Sequence, residues 1–212
     1  MKLTEASINF IHACCKDTLF HLANEHVTSG RHNDALAVFA QLLDSDLDDF
    51  GKAMACINMA IVHDQLGQVL QALDAYDRGI VFDQALGRYD VAQRKAAYCV
   101  EKERHGDALA ALTSLVESGI SEMDKADACL SAAVVCDKLG QTDRALDWYE
   151  RGIKYERPHY RFAVAEHKAW YLSSKGRTKE SLMLYDRLLL EASMREADKA
   201  RIKNNIHLLA NP

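Results

Sequence analysis

The sequence predicts an all-α protein, a right-handed superhelical solenoid of antiparallel helix pairs running as a single domain over residues 1–212. Three observations carry that class. A phrase of the form Gly-x-x-x-x-Ala-Leu-x-x-Tyr recurs five times: Gly30…Ala35-Leu36…Phe39, Gly67…Ala72-Leu73…Tyr76, Gly106…Ala111-Leu112…Leu115, Gly140…Ala145-Leu146…Tyr149 and Gly176…Ser181-Leu182…Tyr185. Its glycines stand 37, 39, 34 and 36 residues apart, the range of helix–turn–helix repeat arrays. Composition agrees, with 49% hydrophobic and 27% charged residues and only two prolines, Pro158 and Pro212, so little interrupts helices.

Each element follows from the phrase. Seven residues before the glycines stand Ala23, Ala60, Cys99, Ala133 and Ala169, and five after them Ala35, Ala72, Ala111, Ala145 and Ser181. All are small, as two helices crossing closely require. Leu36, Leu73, Leu112, Leu146 and Leu182 anchor the second helix, and the glycine ends the first, where a positive φ suits a residue without Cβ. First helices are predicted over 4–28, 49–66, 88–105, 121–139 and 158–174. Second helices are predicted over 31–44, 68–82, 107–118, 142–155 and 177–192. Ser121 with Asp124 reads as a capping box, and Pro158 as a helix start. The long step before the third unit implies an extended helix or loop near Asp83–Tyr89. A last amphipathic helix over 194–210 carries Met194, Ile202, Ile206 and Leu209 on one face, as a terminal cap needs.

The pattern resembles the tetratricopeptide repeat, with units at about 16–49, 53–86, 92–125, 126–159 and 162–195. The chain departs from that family in its early aromatic slot, which holds Leu19, Cys56, Lys95, Cys129 and Ala165, and in its closing proline, present only as Pro158. The resemblance implies a binding module or scaffold whose inner wall is lined by first-helix residues. Carried over position by position, the wall draws on Phe20, His21 and Asn24, then on Ile57, Asn58, Ile61 and Asp64. Val100, Glu103 and Arg104 follow in the third unit, and Asp127, Leu130, Val134, Asp137 and Lys138 in the fourth. Glu166, His167 and Trp170 complete it.

Charge decides between ligands. Co-chaperone members of the family clamp acidic C-termini with Lys, Asn and Arg, but the matching slots here hold Asp17, His21, Asn58, Gln93 and Ala97. Only Asn58 agrees, and a carboxylate ligand would meet Asp17 where it needs a cation. The wall instead sets Asp17, Asp64, Glu103, Asp127, Asp137 and Glu166 against Arg104 and Lys138, alternating with apolar residues. The expected occupant is therefore a peptide or helical segment of a partner protein, basic and apolar. Pentatricopeptide arrays that bind RNA share the repeat length, yet a net charge of −5 disfavours phosphate backbones and anionic membranes. Homo-oligomerisation is compatible with such a module.

No catalytic constellation, cofactor motif or metal site is expected. The chain lacks a phosphate-binding glycine loop, H-E-x-x-H and G-x-S-x-G. Its nine histidines are scattered, and the Asp44–Asp49 stretch lacks the glycine and glutamate of a calcium loop. Cys56, Cys99, Cys129 and Cys136 fall in helices and Cys14-Cys15 has no C-x-x-C partner, so all read as reduced, packed thiols. No signal peptide or apolar run of about 18 residues is visible, and a cytoplasmic location is expected.

Overall fold

A computed structural model describes the backbone of residues 5–159 and 161–210, and the side chains of residues 17–159 and 161–209. Cys14 and Cys15 lie outside the described side chains. Among the described residues there are eleven α-helices and no strand. In chain order they are α1 (Glu5–Thr28), α2 (His32–Asp44), α3 (Asp49–Gln65), α4 (Val69–Ala85), α5 (Asp90–Glu101), α6 (His105–Glu117), α7 (Glu122–Lys138), α8 (Thr142–Glu156), α9 (Ala163–Ser174), α10 (Thr178–Leu189) and α11 (Glu196–Ala210). The chain divides into two compact units, residues 1–95 and 96–212, with α5 crossing the boundary.

Within each unit, helix pairs close on the small residues. In the first unit Ala23 and Ala35, and then Ala60 and Ala72, have no exposed surface. In the second, Ala133 and Ala145 are equally buried, and Ser181 Oγ donates to the Ala169 carbonyl at 2.6 Å. Two glycines mark still closer approaches. A Cβ on Gly79 would lie 2.9 Å from Cys56 Cβ and 3.1 Å from Val91 Cγ1, and one on Gly152 would lie 2.9 Å from Val164 Cγ1 and 3.1 Å from Cys129 Cβ. Side chains of two neighbouring helices packed this close to each glycine would have to shift to admit even a methyl group. The four described cysteines are buried and in no disulfide, and burial pushes the Cys56 and Cys129 thiols up to about 11, so these two stay protonated and pack as small apolar groups.

Two buried carboxylates join consecutive helix pairs. Asp83, near the end of α4, accepts from the Val91 amide at 2.9 Å. Glu156, the last residue of α8, accepts from the amides of Val164 and Ala165 at 2.9 and 3.0 Å. Each caps the first turn of the following helix, where amides have no intrahelical acceptor. The predicted start at Pro158 is therefore displaced. Pro158 belongs to a short 3-10 turn over Arg157–His159, and α9 begins where Glu156 supplies its cap. Ser121 does cap α7, its Oγ accepting from the Asp124 amide at 3.2 Å. The Asp44–Asp49 stretch serves α3 in the same way, Asp48 accepting from the Gly51 amide at 2.8 Å.

The third unit's register differs from the sequence reading. Gly106 lies inside α6, and the left-handed turn falls on Glu103, at φ 55°, the only described non-glycine with a positive φ. Glu103 donates its amide to the Val100 carbonyl and Arg104 to that of Cys99. These are the same two bonds that Gly67 and Gln68 make to Asp64 and His63. The turns then stand at 30, 67, 103, 140 and 176, spaced 37, 36, 37 and 36 residues. The small pair of this unit is Ala96 and Ala108, both buried, followed by Leu109, while Ala111 is partly exposed. Before the unit α4 runs on to Ala85, three residues past its predicted end and longer than the other second helices, and closes with a turn through Gly87 at φ 67°.

The even spacing exposes a longer period. Residues 31–103 and 104–176 match at a fixed offset of 73: Arg31-His32 with Arg104-His105, Cys56 with Cys129, Gly79 with Gly152, Asp83 with Glu156, Val91 with Val164 and Lys95 with Lys168. The α4–α5 connection is thus repeated, in chemistry and contacts, by α8–α9. In the second unit the array ends on a core of Ala165, Ala169, Tyr185, Leu188, Met194 and Ile202, with Ile206 and Leu209 packed against it. That burial is the apolar face of α11.

Ala145→Leu is expected to lower stability by about 1–3 kcal/mol in urea unfolding, because the α7–α8 crossing has no room for three added carbons. Register is tested by a contrast of sign. Gly140→Ala should cost about 1 kcal/mol and Glu103→Gly should gain a few tenths or more, since both act on a left-handed turn. Glu156→Ala should cost about 1–3 kcal/mol by orphaning two buried amides. Burial raises the Glu156 pKa, with the Val164 and Ala165 amides opposing it. A raised folded pKa gives a contribution that is full below the unfolded value, about 4.3, and lost as pH rises through the folded one. Wild type should therefore lose stability relative to Glu156→Gln just above the ordinary carboxylate range, measured by unfolding at stepwise pH.

Candidate functional site

The first-helix positions expected to line an inner wall recur with one exposure pattern. Six residues before each turn stand Asn24, Ile61, Ala97, Val134 and Trp170, and all are exposed. The three large members reach 42% exposure at Ile61, 39% at Val134 and 64% at Trp170. One turn of helix earlier, Phe20, Gln93, Leu130 and Glu166 are half-buried, whereas Ile57 is 5% exposed and packs inward. Ile57 is thus a core residue and presents no surface. His21 and His167 are exposed and Asn58 and Val100 half-buried.

The corrected register changes the third unit's contribution. Glu103 sits in the turn and Arg104 precedes α6, its guanidinium bonded to Asp107 at 2.5 Å. Neither is a first-helix side chain. Their slots belong to Val100 and Glu101, with Asp90, Gln93, Arg94 and Ala97 further back. Gly106 followed by Ala111-Leu112 concealed this, because Ala108-Leu109 offers the same dipeptide three residues earlier. The 73-residue match of Arg104-His105 to Arg31-His32 is the signal that fixes the frame. Arg94 then occupies a clamp slot in place of Ala97, but Asp17 and Asp90 still stand where that clamp requires ammonium groups.

In the first unit a cleft of about 580 Å³ opens between α1 and the start of α3. Phe20, Leu47, Phe50 and Met54 give it an apolar lining, and Asp17, Asn24 and Asn58 add polar groups. Phe20 leans on Phe39, centroids 6.3 Å apart, and Phe50, 45% exposed, lies under the Arg88 guanidinium at 4.9 Å. Apolar side chains flanked by amide and carboxylate groups suit an extended peptide, whose backbone the asparagines can bond.

In the second unit the wall carboxylates are already matched. Arg161 donates to Asp127 at 2.9 Å, Arg201 holds Glu166 through two bonds of 2.7 and 3.0 Å, and Lys175 meets Asp137 at 2.6 Å. Hydrogen bonding to those carboxylates raises the pKa of Lys175 and of Arg201. Lys138 is exposed. The cations come from Arg161 before α9, Lys175 after α9 and Arg201 on α11, segments whose wall role the repeat pattern does not describe. The three wall carboxylates of this unit are accordingly neutralised within the chain.

Among the described residues no group of three His, Cys, Asp or Glu side chains could hold a metal ion, and no helix is long and apolar enough to cross a membrane.

Comparison with known proteins follows the same lines. Residues 128–159, the fourth repeat, match the tetratricopeptide repeat family model. No curated protein matches the sequence. Solved structures do match the fold. A crystal structure of MamA is 17% identical, with a TM-score of 0.55 over 84% of this chain and 96% of that one. MamA from Desulfovibrio magneticus RS-1, from residue 41 to its end, is 14% identical, with a TM-score of 0.54 over 82% and 93%. Pseudomonas aeruginosa pilF is 16% identical, with a TM-score of 0.53 over 92% and 86%. Residues 128–159, on α7–α8, thus carry the tetratricopeptide repeat in sequence, and the solved structures share the helical fold across most of the chain.

Proposed function

We infer that the protein is a scaffold that holds a segment of a partner protein against the first helices of its repeats. A fold of this type serves protein–protein interaction, and what favours the inner wall is the exposed position shared by Ile61, Val134 and Trp170. An indole left 64% exposed loses little by waiting and gains much when a partner covers it. The segment is read as apolar in the main, with Lys or Arg beside its apolar side chains. The basic preference belongs to the first unit's cleft, where Asp17 adjoins Phe20 and Met54. The paired carboxylates of the second unit leave little charge for a ligand to neutralise. The tethered partner, not a reaction, is the output of such a module.

Photo-cross-linking tests this reading. A benzophenone amino acid placed at Ile61 or Trp170 should cross-link in cell extract to a discrete protein partner. Affinity for that partner should then fall by about 2 kcal/mol or more in Trp170→Ala, and by under about 1 kcal/mol in Asp64→Asn. Binding should weaken modestly with salt. Cross-links to RNA, or a Trp170→Ala variant with full affinity, would overturn the proposal.

A further inference from the structure

The second unit carries a second cleft, on the side formed by α8 and α10 and away from the exposed row of α7 and α9. Its volume is about 480 Å³. Ile153, Phe162, Ala165, Leu172, Leu184 and Leu188 make the apolar lining, and Met183, 57% exposed, stands beside them. The charged residues of the lining fall into two groups. Most are satisfied within the chain: Lys168 with Glu150, Arg157 with Glu191 at 3.6 Å, Arg161 with Asp127, Glu180 with Arg177 at 2.6 Å, and Glu156 on the α9 amides. Lys154 on α8 and Arg187 on α10 are exposed and have no carboxylate partner among the described residues. The uncompensated charge of the cleft is therefore positive, although the chain as a whole is acidic.

The 73-residue period shows that this chemistry is not a by-product of the repeat. Ile153, Ala165 and Leu188 keep the identities of Ile80, Ala92 and Leu115, while Lys154, Arg187 and Met183 stand where the earlier copy has Val81, Ser114 and Ala110. The packed frame is retained and the accessible groups differ, each toward a longer or charged side chain. Two unpaired cations and a flexible thioether around an apolar floor suit a ligand that brings leucine or phenylalanine together with carboxylates.

We propose that the α8–α10 cleft is a docking site for an acidic, apolar segment of a partner protein, separate from the inner-wall site. The probe is a fluorescein-labelled ten-residue peptide alternating glutamate pairs with leucine and phenylalanine, titrated against the full chain by anisotropy. A control peptide carries lysine at every glutamate. The acidic peptide is expected to bind and the lysine peptide to fail. The double variant Lys154→Glu/Arg187→Glu should weaken binding about tenfold or more, since like charges then face the ligand. Met183→Asp should weaken it too, and Trp170→Ala should leave it unchanged. All four positions are exposed, so unchanged circular dichroism is expected of every variant. Five outcomes would overturn the proposal, four of them at the cleft itself. Those four are equal binding of both peptides, no binding of the acidic one, indifference to the charge reversals, or capture by phosphatidylserine vesicles but not by the peptide. Loss on Trp170→Ala alone would place the peptide on the inner wall, supporting that site and refuting this one.

Discussion

Everything in this molecule depends on how closely two helices can approach. The positions seven before and five after each turn are small because the pair crosses there, and at Gly79 and Gly152 the next helix leans in until a single methyl would collide with Val91 or Val164. Close contact over short helices gives each pair its dispersion energy and fixes its crossing. It also leaves the first helix with a free face. Residues six before the turn point away from both neighbours, so their identity is not dictated by packing. A surface then becomes available for Ile61, Val134 and Trp170 without any cost to the pair beneath.

Asp83 and Glu156 carry the second constraint. A carboxylate buried to about 1% exposure, as Glu156 is, is tolerable only when its oxygens meet strong donors. The first-turn amides of the following helix are such donors, and they need acceptors of their own. Each group solves the other's desolvation, and the bond sets the start of α5 and of α9. A proline would fix that junction by restricting φ alone. Here the junction is held by hydrogen bonds that cross from one pair to the next, and Pro158 is left in a surface turn.

The fold was legible because the repeat writes its crossing points in small residues and its turns in glycine. Where the turn residue is Glu103, that alphabet misleads. Gly106 lies three residues on, close to one helical turn, and Ala108-Leu109-Ala110-Ala111-Leu112 satisfies the phrase in either frame. A left-handed glutamate costs about 1–2 kcal/mol, so position 103 defies local propensity and only the surrounding pair holds it there. Ile57 falls in a slot that the resemblance gives to the wall, yet it is only 5% exposed, and apolar character alone does not separate a wall residue from a packed one. The ion pairs of Asp127, Asp137 and Glu166 were invisible for a different reason. Their partners Arg161, Lys175 and Arg201 are 34 to 38 residues away, about one repeat further along, and a census within one helix does not meet them.

That one-repeat reach has a consequence for recognition. In the second unit the cation that neutralises a wall carboxylate is supplied by the next repeat or by the capping helix, so charge on the wall reflects the array and not the single unit. Arg201 on α11 holds Glu166, and Asp198 holds Arg201 at 3.0 Å. The cap therefore closes the electrostatics of the fifth repeat as well as its core. The pairs are solvated and individually weak, yet together they lessen the local charge that Asp127, Asp137 and Glu166 offer a basic ligand. What the second unit's first helices keep exposed is Val134 and Trp170, apolar groups that act only on contact. Long-range selection then falls to the groups left unpaired. Among the described residues these include Asp17 in the first unit's cleft and Lys154 and Arg187 in the second unit's. The two clefts therefore carry opposite charge, acidic in the first unit and basic in the second.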